Sequence, residues 1–266
     1  MSDPTACRPL AEFGALRFQG PDARKFLQGQ LSNDMARLRA GVILRAGVHN
    51  PQGRTIALLW LAEQSSEDVL AMLPLELVAP VAAHLRRYLL RAKLTISDVS
   101  GVTQIYGLRT HERGPGYWSF DTQRALLINA GAPPTGCESL SRDQWRQLDI
   151  ALGEPQVYAS TSGQFVAQML NLDCVDAVSF DKGCYTGQEV IARAHFRGRV
   201  KRRMQRFETL TGHSPKEGYG LTETAPLGTL QIATRGTRPG VKPLRGRLVA
   251  FSGKSDSDRL HLHCLP

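Results

Sequence analysis

The character of the chain changes after Gly198, and this change limits the folds that the whole sequence can adopt. Before it, strand-like segments alternate with four helical segments; after it, short apolar stretches are separated by Gly and Pro. We therefore place a domain boundary here, with residues 199–266 forming a separate β-rich unit.

The same position divides the charge of the chain. Residues 1–198 hold 20 Lys or Arg and 19 Asp or Glu, whereas residues 199–266 hold 13 and 5. The densest basic run lies between Arg193 and Arg206. It is typical either of a phosphate-binding face, for nucleic acid or an anionic ligand, or of a solvated helix end that continues into an exposed strand. No aromatic ladder interleaves with these basic residues, so no stacking platform is expected.

Composition excludes several classes of protein. Apolar residues at 42% and charged residues at 21% are typical of an ordinary globular protein. The sequence lacks the roughly 20 consecutive apolar residues of a membrane span, and its first ten residues do not resemble a secretory signal. Five sparse cysteines favour a cytoplasmic, reducing environment. No metal site is expected, since the ending His261, His263, Cys264 alternates like a terminal strand.

Local signals predict the elements that frame the later motifs. Val42–Asn50 and Thr55–Leu61 form a predicted hairpin, and Leu77–Leu90 has helical periodicity. A helix starts near Gly20 and is predicted to end at Gly29, in a left-handed cap. Ser141–Leu152 is a second capped helix, ending at Gly153.

The segment Ser179–Lys201 is the most informative part of the sequence. Thr186 and Glu189 have the spacing of a capping box, so a helix is predicted to begin here with Cys184 just before it. The helix N-terminus and the nearby Lys182 both favour the thiolate form of Cys184. Two interpretations stay open from the residues: a reactive thiol, or a buried cysteine acting as a small hydrophobic residue.

This segment resembles the signature of the YgfZ family, folate-binding relatives of the glycine-cleavage T-protein, an aminomethyltransferase. Its letters KGCYTGQEV are specific, because T-proteins lack this cysteine. Four further stretches resemble the family in the same order: Phe18–Asp34, His49–Arg54, Trp145–Pro155 and Ser162–Asp173.

The resemblance implies an α+β fold with the three-part T-protein-like architecture. A folate-binding α+β portion would span residues 1–48 and 101–198. A ferredoxin-like portion would span 49–100, and a small basic β-barrel would form 199–266.

The resemblance also implies tetrahydrofolate as the cofactor. Folate-binding positions of the family fall on Phe13, Gln30, Asn33, Trp145 and Arg193. Its functional thiol falls on Cys184, and the residues expected to act with this thiol are Lys182, Tyr185 and Gln188.

The implied function is that of a folate-binding accessory protein for the assembly or repair of iron–sulfur enzymes, including tRNA methylthiolation. Its partners would be folate, those enzymes or their assembly machinery, and tRNA. Two alternatives stay open: a folate-dependent one-carbon transferase and a non-enzymatic RNA-binding module. Asn50–Arg54 carries no carboxylate where T-proteins use an acid, which argues against aminomethyl transfer. Ala151 stands where many relatives have a pterin-anchoring Glu, although Asp149 lies nearby.

Overall fold

The computed structural model describes residues 5–111, 116–129, 131–133, 135–198, 200, 202–211, 214–223, 248–249 and 262–264, with side chains as far as Met204. The four α-helices are α1 (Ala23–Gln30), α2 (Leu75–Arg86), α3 (Arg142–Leu152) and α4 (Gln188–Phe196). The strands before α4 are β1 (Ala6–Pro9), β2 (Phe13–Gln19), β3 (Leu44–His49), β4 (Thr55–Ser65), β5 (Asp68–Pro74), β6 (Thr95–Asp98), β7 (Ile105–Arg109), β8 (Tyr117–Ser119), β9 (Arg124–Ile128) and β10 (Glu138–Ser139). Short 3₁₀ turns lie at Met35–Arg37 and Ala167–Leu170.

Two five-stranded sheets form the body of the molecule. The central sheet has the order β3-β4-β5-β2-β6 and is antiparallel throughout. The second sheet has the order β10-β1-β7-β9-β8, with one parallel pair at its edge, between β1 and β10. The predicted hairpin is confirmed as β3 and β4, which are joined by the turn at residues 50–54.

The central sheet is apolar on both faces, because both faces are covered. Leu59 and Leu61 belong to the large core that includes α1 and α2, whereas Trp60 belongs to a second core shared with the other sheet and α3. Side chains alternate between the two faces of a strand, so one apolar run serves both cores. The boundary expected after residue 48 cuts through this sheet, because β4, β5 and β6 pair with β2 and β3. The division into domains stays a prediction.

Helix ends show where local signals sufficed. Helix α3 is confirmed: Ser141 and Gln144 form a capping box, and Gly153 is left-handed with φ 72°. The predicted cap at Gly29 is wrong, because α1 continues to Gln30 and Leu31 follows in extended conformation.

The C-terminal strands are β11 (Arg202–Thr211), β12 (Ser214–Glu223), β13 (Leu248–Val249) and β14 (Leu262–Cys264). They form a separate antiparallel sheet in the order β13-β12-β11-β14, so the β character expected after Gly198 is confirmed for these segments. Strand β14 confirms the terminal strand predicted at the chain end. The remainder of the expected barrel, and the side chains of the His and Cys at this end, lie outside the described residues. Within the described part of the chain, no helix is long and apolar enough to cross a membrane.

Candidate functional site

The loop that carries Cys184, residues 179–187, precedes α4 and contains both exposed and buried residues. Cys184 is exposed, whereas Lys182 and Tyr185 on either side of it are buried. The buried-cysteine interpretation is therefore wrong. The thiol is free, as are those of the other cysteines whose side chains are described. The loop thus presents one nucleophile to solvent between two anchored side chains.

Lys182 anchors the loop to the end of α1. Its Nζ donates hydrogen bonds to the carbonyl oxygens of Gln28 at 2.6 Å, Leu31 at 2.6 Å and Asn33 at 3.0 Å. These three bonds use all three protons of the ammonium, and the carbonyls at a helix C-terminus favour a cation. Burial lowers the pKa of Lys182 to about 8, so the group is charged at neutral pH. Lys182 therefore holds the backbone of the loop against the end of α1.

Tyr185 is the second anchor. Its ring packs in the large core, with the Lys182 ammonium 5.0 Å from its centroid and the His49 ring 6.2 Å away. Burial raises the pKa of the Tyr185 hydroxyl and lowers the pKa of His49 to about 3, so both are neutral at pH 7. Among the described residues, neither ring nitrogen of His49 has a hydrogen-bond partner. Sequence reasoning missed His49 as a site residue, although it is the last residue of β3 and directly precedes the turn at residues 50–54.

Two glycines allow the turn at residues 50–54 to lie against the start of α4. Gly187 is left-handed, with φ 81°, and a Cβ added to it would lie 2.5 Å from the carbonyl oxygen of Asn50. A Cβ on Gly53, with φ 71°, would meet Val190. The predicted capping box is therefore wrong: Gly187 is the N-cap, and the Thr186 hydroxyl instead donates to the Gln30 side chain at 3.4 Å.

Asn33 and Gln30, predicted as folate-binding positions, and Gln188, predicted to act with the thiol, lie around the loop. Asn33 is fully buried, and its amide donates to the carbonyls of Arg45 and Asp176, both at 2.7 Å. It is therefore part of the packing under the loop. Gln30 and Gln188 are half-buried, and the Gln188 backbone N–H donates to the Tyr185 carbonyl at 3.1 Å.

Phe13 and Trp145 lie in the second core, apart from the cysteine loop. Phe13 stacks on Trp60 with centroids 4.4 Å apart. Trp145 is 1% exposed: Gly107 lies so close to the indole that an added Cβ would come within 2.6 Å. The Arg124 guanidinium lies 5.0 Å from the Trp145 ring centroid.

Buried ion pairs surround these rings, and no sequence motif predicted them. Arg124, fully buried, pairs with Asp121 and Asp149. Arg45 pairs with Glu154, whose other oxygen accepts from Trp60. Burial raises the pKa of Asp149 to about 6 despite the Arg124 charge, and burial also raises the pKa of Glu154. Both acids are occupied by arginines, so neither is a free general base.

Folate requires a flat apolar face for its pterin ring and polar groups at the ring edge. Trp145 offers no free face. Phe13 lines a cavity of about 280 Å³ together with Ser100, Gln104 and Tyr106. That volume lies just below the range of about 300–1,000 Å³ for cavities that bind drug-sized ligands, so it suits the pterin ring rather than the whole folate molecule. The residues present therefore fit a pterin at Phe13 and not at Trp145.

Arg193 lies on the exposed side of α4. It lines an open groove of about 570 Å³ with Glu189, Phe196 and Arg197. Phe180 reaches this side from the preceding loop and stacks on His195. Aromatic side chains therefore do accompany the basic run, contrary to the expectation from sequence spacing.

The chain is similar in sequence to several known proteins. An uncharacterized protein from Haemophilus influenzae is 30% identical over 79% of this chain and 75% of its own length. The tRNA-modifying protein YgfZ of Serratia proteamaculans is 29% identical over 78% of this chain and 72% of its own. YgfZ of Shigella sonnei is 25% identical over 99% of this chain and 93% of its own length. No family model matches the chain.

Among solved structures, glycine cleavage system aminomethyltransferase T from Bartonella henselae superposes with a TM-score of 0.63. Its identity is 12%, over 79% of this chain and 68% of that protein. At this identity the likeness shows the fold, which is the mixed α and β architecture of the aminomethyltransferase.

Proposed function

The chain belongs to the YgfZ family, and from this premise we propose that it is a folate-binding accessory protein in tRNA modification. In this role it supports the assembly or repair of iron–sulfur enzymes, including those that methylthiolate tRNA. Two of the relatives above are tRNA-modifying proteins by name, and the aminomethyltransferase fold is consistent with a folate ligand.

The observation that carries the proposal is the exposed thiol of Cys184 on an anchored loop. A cysteine thiolate is both a nucleophile and a ligand for iron–sulfur clusters. Lys182 and Tyr185 fix the backbone on either side, so the thiol is presented to a partner without a large ordering cost. The cluster, or the enzyme that carries it, is the substrate of this thiol.

Tetrahydrofolate, when bound, would supply one-carbon chemistry. Phe13 would hold its pterin ring by stacking, and Ser100, Gln104 and Tyr106 would offer polar groups at the edge of the cavity. Calorimetric titration with tetrahydrofolate under reducing conditions should give micromolar affinity, weakened about tenfold in Phe13→Ala. Absence of binding by the wild-type protein would contradict the folate part of the proposal.

The thiol is tested in a bacterial strain that lacks its own relative of this protein. We expect Cys184→Ser and Cys184→Ala to abolish the restoration of methylthiolated tRNA, measured by mass spectrometry of nucleosides. The matched control is Cys174→Ser, because Cys174 is also an exposed free thiol. Full restoration by both Cys184 variants would refute the role of the thiol.

A further inference from the structure

The exposed side of α4 forms a surface that the proposed function does not use. We call it the aromatic–arginine surface, and its members are Phe180, Arg193, His195, Phe196 and Arg197. Phe180 and His195 stack with centroids 3.7 Å apart and an interplanar angle of 15°. Phe196 packs edge-on against both rings, with its centroid 6.0 Å from that of Phe180 and 4.7 Å from that of His195.

Phe196 is unusually accessible for a phenylalanine. The residue is 68% exposed, although Phe180 next to it packs against the large core. An exposed aromatic ring supported by two others is costly in water unless a partner covers it. The support from Phe180 and His195 also restricts the ring, which lowers the entropy lost on binding.

Cationic groups border the rings. Arg193 and Arg197 are both exposed and line the open groove of about 570 Å³ with Phe196. One acid, Glu189, lines the same groove, so the described lining carries a net positive charge. In sequence, the chain then continues into Arg199, Lys201 and Arg202. The groove therefore favours a partner that combines anionic groups with flat rings.

We propose that the aromatic–arginine surface binds unpaired RNA nucleotides, with a base stacked on Phe196 and backbone phosphates at Arg193 and Arg197. Unpaired bases can stack on aromatic side chains, whereas bases inside an RNA duplex are already stacked. The inference rests on the proposed function in tRNA modification. Helix α4 has nine residues and is about 13 Å long, with Cys184 before one end and Phe196 at the other. RNA on this surface would therefore lie within a few nucleotides of the thiol.

Fluorescence anisotropy of a labelled single-stranded RNA 12-mer, with the duplex of the same sequence as comparison, tests the proposal. We expect Phe196→Ala to weaken single-strand binding about five- to 150-fold. The double variant Arg193→Ala, Arg197→Ala should reduce the slope of log K against log salt concentration by about 1.4, since each lost phosphate contact removes about 0.7.

Matched controls separate this surface from general charge and hydrophobicity. Arg146→Ala removes an exposed arginine on α3, and Val102→Ala removes an exposed apolar side chain. Both should bind RNA as the wild type does. Circular dichroism melting checks that every variant is folded.

Several results would overturn the inference. One is equal binding by wild type and Phe196→Ala; another is duplex binding as tight as single-strand binding. A third is loss of tetrahydrofolate affinity in the arginine variant with no RNA binding by the wild type, which would assign the arginines to the folate tail. Cys184→Ser should bind RNA normally. If RNA binding is absent while methylthiolation still depends on Cys184, this inference fails and the proposed function stands.

Discussion

Replacing Lys182 by methionine tests how the cysteine loop is held. The change keeps the length and apolar stem of the side chain but removes the ammonium that contacts three carbonyls of α1 and the segment after it. A hydrogen bond to a charged group contributes about 1.5–3 kcal/mol. One ammonium makes all three bonds and loses its hydration once, so we expect a total loss of about 3 kcal/mol rather than three times the single value.

Urea unfolding at pH 7, followed by circular dichroism, measures this loss. The control is Lys25→Met, because Lys25 is exposed on the same helix. The control should change the free energy of unfolding by no more than about 0.5 kcal/mol. If Lys182→Met is as stable as the control, Lys182 is not an anchor and the reasoning is refuted.

The titration of Lys182 gives a second, independent test. Burial lowers its pKa from 10.5 to about 8, so between these values the unfolded chain binds the proton more tightly than the folded protein. The free energy of unfolding of the wild type, relative to Lys182→Met, should therefore rise from pH 8 to pH 10. The neutral amine still donates two of the hydrogen bonds. A fall over this range would contradict the buried location.

Two further predictions concern the contact between Gly187 and the turn at residues 50–54, and the ion pairs of the second core. Gly187→Ala should destabilise the protein by about 2–3 kcal/mol, because the residue is left-handed and an added Cβ meets the Asn50 carbonyl. As a control, Gly29→Ala inside α1 should stabilise the protein by about 0.5–1 kcal/mol. Equal urea midpoints for the two variants would contradict this prediction. Burial raises the pKa of Asp149 from its ordinary value of 3.8 to about 6 in the folded protein. Its contribution to stability is therefore present below pH 4 and is lost as the pH rises to 6. Urea unfolding of wild type and Asp149→Asn from pH 4 to 7 should show this difference, and parallel curves would refute it.

Elements that depend on local signals could be predicted from the sequence. Ser141 and Gln144 cap α3 through bonds within one turn, and Gly153 ends it, so the spacing of three residues was sufficient. Thr186 and Glu189 have the same spacing, and that prediction failed. There the chain must pass close to Asn50, more than 130 residues earlier, and only a left-handed glycine allows this approach.

The candidate site shows the same limit. Cys184 and Lys182 could be selected from their motif, but the anchoring contacts of Lys182 could not. The carbonyls that bind Lys182 lie about 150 residues away in the chain. The aromatic side of α4 was missed for the same reason, since Phe180 reaches His195 only when the loop folds back.

These long-range contacts hold the loop on both sides of the exposed Cys184. A loop of small and polar residues such as Gly183 and Thr186 has little apolar surface of its own to bury. Its order comes instead from Lys182 on the end of α1, Tyr185 in the large core and Gly187 against the turn at residues 50–54. Each contact reaches a different part of the fold, so the position of the thiol depends on the whole central sheet. A reagent for Cys184 therefore reports on the folding of this sheet as well as on the thiol, and loosening any one of the three contacts should change its reaction rate.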